Sequence, residues 1–114
     1  MSKAIGNYGE GRTAVGQIPG TGADIDIALP FTPRYVRLVN RDGLAAAEHF
    51  CGMASGTAVK TITAGTMSLV AAPNGVTLHE QFELDDPAPA RGFRIGADAD
   101  LNVTDEEIFW FAAE

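Results

Sequence analysis

The chain has 114 residues, 46% of them apolar and 20% charged, with a formal net charge of -7. That is enough for one domain with a modest core, and too acidic, with its eight Lys and Arg scattered, for a phosphate-binding surface. A single cysteine, Cys51, excludes an internal disulfide, and no stretch approaches the roughly 18–20 apolar residues of a membrane-spanning helix. The opening MSKAIGN leads into glycine and charge instead of an apolar segment, which predicts no secretory signal and synthesis in a cytosol.

Residues 1–22 hold six of the 13 glycines, and glycine raises the entropy cost of ordering a backbone. This stretch reads as a flexible Gly-rich N-terminal arm, either a frayed end or a segment that drapes over a neighbour, with the body of the protein running from 23 to 114. Within the body, residues 23–29 alternate with period two, placing Ile25, Ile27 and Leu29 inward and Asp24 and Asp26 outward. Pro30 and Pro33 break that strand, because proline donates nothing to a ladder. Residues 34–40 form a second strand with Val36 and Leu38 on one face, closed by the turn signal Arg41-Asp42-Gly43. Arg34, Arg37 and Arg41 decorate this strand and its turn more simply than they form an anion site.

Residues 44–53 are ambiguous. LAAAEHF has helical propensity, yet it falls where a β-rich fold places its next strand. Strands follow at 58–63 and 66–71 around Ala64-Gly65. Asn74-Gly75 is a hairpin signal, because both residues accept positive φ. A strand at 76–84, an exposed loop at 85–90 and strands at 92–96 and 107–112 complete the chain. The last strand is apolar on both sides, with Ile108, Trp110 and Ala112 opposite Phe109 and Phe111. It lies inside a two-layer fold or is covered in part by another chain. About seven to nine short strands and at most one short helix predict an all-β fold, an antiparallel β-sandwich or small jelly-roll-like barrel.

Sites for chemistry are weakly indicated. Asp98, Asp100 and Asn102 match the opening D-x-D-x-N of a calcium loop, but Val103 stands where that loop requires glycine and Phe109 where it requires glutamate. A polar turn bonding its own backbone is the simpler account. His49, Cys51 and His79 are too loosely spaced for a zinc site, and no glycine-flanked elbow surrounds Cys51. The carboxylates lie in turns and select no facing pair. The expectation is therefore a protein that is not an enzyme and has no cofactor and no metal.

FTPRYVRLVN at 31–40, Gly52-Met53, GFRIGADADLNV at 92–103 and Trp110-Phe111-Ala112 together resemble the small β-rich virion structural proteins of tailed bacteriophages. The likeness spans residues 20–113 and departs at Thr104-Asp105-Glu106-Glu107, where the family pattern has a small, glycine-bearing turn. It implies a head decoration or cement protein, located in the virion, that binds the major capsid protein lattice and bridges capsomers. The expected state is a homo-oligomer, trimer or dimer, with no nucleic-acid or membrane partner. A tail fibre, spike or tail-tip module is the alternative, and a free carbohydrate- or metal-binding sandwich the alternative from another class. Tyr35, Phe109 and Phe111, with Ile5 and Tyr8 of the arm, are the candidate interface residues, because aromatics are favoured in interface cores. Plain core packing is the competing account of Tyr35, Phe109 and Phe111.

Overall fold

The structure, a computed structural model, describes residues 12–79 and 91–114. Ile5, Tyr8, the distal part of the strand expected at 76–84 and the loop expected at 85–90 lie outside these residues. The described chain is all-β and forms nine strands: β1 (Thr13–Pro19), β2 (Ile25–Ala28), β3 (Tyr35–Asn40), β4 (Ala45–Phe50), β5 (Ala58–Thr61), β6 (Met67–Val70), β7 (Val76–His79), β8 (Gly92–Ile95) and β9 (Glu107–Ala113). They build a two-sheet antiparallel sandwich. The large sheet has the order β1-β9-β3-β4-β5-β6 and the small one β2-β8-β7.

The core lies between the sheets. Val36 and Leu38 of β3 and Ile108 and Ala112 of β9 face Ile25 of β2, Val76 of β7 and Phe93 and Ile95 of β8. Phe31, from the β2–β3 connection, closes one end and is 1% exposed. Three strands cannot cover six. The inner faces of β4 and β5 are covered instead by the loop 96–106, whose Leu101 packs on Ala45, Ala47 and Ala58. That explains Ala45 and Ala47: small inward side chains let the loop come close. The segment is a strand with inward Ala45, Ala47 and His49, because pairing with β3 and β5 overrides the helical propensity of its alanines.

Two expectations change. Residues 13–19 are no arm: β1 pairs along its whole length with β9, from Thr13 opposite Ala113 to Pro19 opposite Glu107. Arg12 ties down its start with a two-pronged ion pair to Glu114 at 2.9 Å. The domain boundary at 22/23 therefore cuts through the sandwich. The glycine count misled because Gly16 and Gly20 serve contact, not freedom. A Cβ on Gly16 would stand 2.5 Å from the Trp110 ring, and one on Gly20 would stand 2.3 Å from the Val103 carbonyl.

Asn74-Gly75 makes no hairpin either. β6 and β7 belong to different sheets, and the pair sits at the corner between them. Gly75 donates its N–H to Gly56 O and accepts from Gly96 N, both at 2.8 Å, and a Cβ there would lie 2.5 Å from the Thr57 carbonyl carbon. Glycine is required by backbone proximity at this corner, not by a positive φ.

Candidate functional site

The inner faces of the two sheets account for the core, so the outer faces remain to be explained. They differ sharply. The small sheet presents Asp26 of β2, Arg94 of β8 and His79 of β7 as one network: Arg94 Nε donates to Asp26 Oδ1 at 2.9 Å, and His79 Nε2 lies 2.9 Å from the same oxygen. The Arg94 bond, with His79 adding to it, holds the Asp26 carboxyl below its usual range against the opposing effect of burial. Such a face is at home in water.

The large sheet's outer face is apolar. Successive strand residues point to opposite sides, so the inward set on β9 and β3 leaves Phe109, Phe111, Arg37 and Val39 outward. The ladder registers align two rows across all six strands. One runs Val15, Phe111, Arg37, Glu48, Val59, Leu69, and the other Gln17, Phe109, Val39, Ala46, Thr61, Met67. Among the described residues, six large apolar side chains are exposed: Val15, Leu44, Phe50, Met67, Leu69 and Phe109. Five stand on this face. The sixth, Leu44, lines its rim in a concavity of about 340 Å3 over β3, β4 and β5. A second concavity, of about 460 Å3, is lined by Val15, Gln17, Val39, Phe109 and Phe111. Val15 at 72% and Leu69 at 66% exposure mark the two far edges. Contiguous apolar surface on this scale signals an interaction site, whereas isolated exposed apolar residues do not.

The face carries its own order. Tyr35 packs against Phe50 and Phe111, with ring centroids 5.1 and 6.2 Å apart. Its hydroxyl donates to Glu48 Oε2 at 2.8 Å, and Arg37 Nη1 donates to the same oxygen at 2.9 Å. Burial, and then the bond to Glu48, push the Tyr35 phenol above its usual value. Tyr35, Phe109 and Phe111, singled out from the sequence, are thus brought onto one surface, and Phe109 and Phe111 point away from the core. The sequence reading missed Val15, Met67 and Leu69. A signal was there in TMSLV, where Met67 and Leu69 alternate on the side opposite the buried Val70, whereas Val15, between Thr13 and Gln17 on its own side, carried none.

The remaining candidates do not assemble. His49 is buried on the inner face with Nδ1 2.6 Å from Thr57 O, Cys51 is exposed, and His79 belongs to the other sheet. No three or more His, Cys, Asp or Glu side chains are grouped to hold a metal among the described residues.

At the D-x-D-x-N segment the cation is supplied by the chain itself. Lys60 Nζ lies 3.0 Å from Asp98 Oδ2 and 2.6 Å from Asp100 Oδ2. Asp98 Oδ2 also accepts from the Asp100 and Leu101 backbone N–H groups, as a polar turn should. Burial depresses the Lys60 pKa, but the bonds to Asp100 and Asp98 outweigh it, and the net effect lies above the ordinary 10.5. A raised folded-state pKa gives stability that is complete below 10.5 and is lost as pH rises through the folded value. Alkaline unfolding monitored by circular dichroism should therefore show a steeper loss above pH 10.5 for the natural chain than for Lys60→Met. Identical slopes would remove Lys60 from the account.

The fold and this face define an all-β sandwich with one wet and one apolar outer surface. No protein-family model, no curated protein and no solved structure matches the chain.

Proposed function

We propose that this chain is a virion structural protein of a tailed bacteriophage, a capsid decoration or cement protein that seats on the major capsid protein lattice and bridges capsomers. The observation that carries the proposal is the apolar outer face of the large sheet. The core is already closed by the two sheets and the loop 96–106, so this second apolar surface contributes nothing to the fold of a lone chain and calls for cover by a neighbouring copy or by the lattice. A subunit that works as one copy among many needs such a surface. The resemblance in FTPRYVRLVN and GFRIGADADLNV supplies the virion context, and the net charge of -7 keeps an unassembled subunit soluble despite its apolar face.

Quantitative mass spectrometry of purified virions tests the proposal directly. The expected result is a copy number close to that of the major capsid protein or a simple lattice fraction of it. A handful of copies per particle would make the chain a tail component, and complete absence from virions would end the virion reading.

A further inference from the structure

We infer that the outer face of the six-stranded sheet is closed by the same face of a second copy, in a twofold dimer whose axis runs parallel to the strands between β3 and β4. The inference goes beyond the virion reading and does not depend on it. Three features carry it: symmetry, charge and area.

The sheet has three strands on either side of the β3–β4 boundary. A twofold rotation about an axis lying over that boundary lays β3 on the partner's β4, β9 on the partner's β5 and β1 on the partner's β6, with heights along the strands kept. The observed register then fixes which side chains meet. Arg37 lies over the partner's Glu48 and Glu48 over the partner's Arg37, because the two residues are cross-strand neighbours at one height. Phe111 meets the partner's Val59, Phe109 the partner's Thr61, and Val39 the partner's Ala46. Bulky side chains of one half thus face small ones of the other, and the two phenylalanines enter the concavity of about 340 Å3 lined by Ala46, Val59 and Thr61. The two most exposed edges also meet, Val15 with the partner's Leu69. A surface that matches itself under one rotation is what an isologous interface requires.

Charge selects the same occupant. Each copy carries -7, so two copies repel over most of their surfaces. The central rows of this face hold one cation and one anion, Arg37 and Glu48, and the adjoining ends of β3 and β9 add Arg41 and Glu107, again one of each sign. The face is locally neutral, and its central pair, already bonded within each chain, meets the same pair of a second copy with opposite charges opposed. A strongly basic partner finds no excess of anions here.

Area is sufficient. Six strands about 4.8 Å apart, rising about 3.3 Å per residue, give a flat footprint of about 500 Å2 per partner, and so about 1,000 Å2 in total, the size from which a specific interface is expected. Sheets pack face to face in this way, about 10 Å apart, in ordinary sandwiches.

The test is the mass of the purified full-length chain by light scattering and sedimentation at about 10–100 µM, the range in which an interface of this size is populated. The natural chain is expected to be a dimer. Leu69→Glu, at an exposed edge position, and Arg37→Glu, which sets glutamate against glutamate across the axis, should each weaken it by at least about 100-fold. The double variant Arg37→Glu/Glu48→Arg restores the pairing and should restore the dimer. Circular dichroism and melting curves confirm folding, and Val15→Glu reports on the same contact from the other edge should Leu69→Glu fold poorly. A monomer, a trimer, a dimer indifferent to both edge substitutions, or a charge swap that fails to rescue would each overturn the proposal. So would a natural chain whose face is buried only on addition of capsid protein.

Discussion

Replacing Asn102 with aspartate is expected to cost about 3–5 kcal/mol at neutral pH, the range for leaving a buried charge without a partner, although it changes one atom. Asn102 is 2% exposed. Its Oδ1 accepts from the Thr21 and Gly22 N–H groups at 2.8 and 3.1 Å, and its Nδ2 donates to the Ala23 and Gly96 carbonyls at 2.6 and 2.9 Å. Both acceptor and both donor positions of the amide are used, so nothing else of this shape serves. Aspartate turns the donating end into an oxygen facing two carbonyl oxygens. The new carboxyl escapes by binding a proton, so its folded-state pKa rises above the unfolded value of about 3.9. The sign follows: the variant is least impaired below about pH 4 and loses stability as pH rises from there. Urea unfolding followed by Trp110 fluorescence at acid and neutral pH measures both parts. A loss under about 1 kcal/mol at neutral pH would mean that the amide does not hold the loop.

Asn102 also shows where sequence reasoning stops. Its D-x-D-x-N context announces a polar turn, and Asp98 behaves accordingly. Nothing local says that the asparagine reaches back to residues 21–23, about 80 positions earlier. Asn40 is similar: Oδ1 accepts from Asp42 and Gly43 in its own turn, while Nδ2 reaches across to Asp100 O and Glu106 Oε1. Together the two buried amides hold the loop 96–106 over the alanine-lined part of the large sheet, where the small sheet is too narrow to reach. Alternation is a local property, and β2, β3 and β9 were legible from it. Sheet membership is not local. The period of β6 and β7 is plain in the sequence, yet the turn between them carries the chain from one sheet to the other, which the Asn-Gly signal does not encode. The apolar outer face was half legible. The double-sided β9 points to it, but its extent depends on which strands lie beside β9, and the glycines around β1 point to an arm instead of a strand.

Gly16, where β1 meets the Trp110 ring, gives the second large effect. Trp110→Ala is expected to cost about 3 kcal/mol, the low end for removing a large aromatic, because the ring is half-buried, not fully enclosed. The indole stands edge-on to Phe93 at 5.5 Å and lies across Gly16 of β1. Gly16→Ala should destabilise the natural chain by about 1–3 kcal/mol, because the new methyl would meet the body of the ring at 2.5–2.7 Å and the ring has Phe93 behind it. The two substitutions should not add. In the Trp110→Ala background the methyl enters the space the indole vacated, and its cost should vanish or turn into a small gain. A four-member cycle of denaturant unfolding curves measures the coupling. Simple additivity would separate β1 from Trp110 and return residues 13–19 to the status of a loosely attached arm. Strong coupling makes them the outer strand of the sandwich, and makes the glycine at position 16 the condition for that strand to lie flat beside β9.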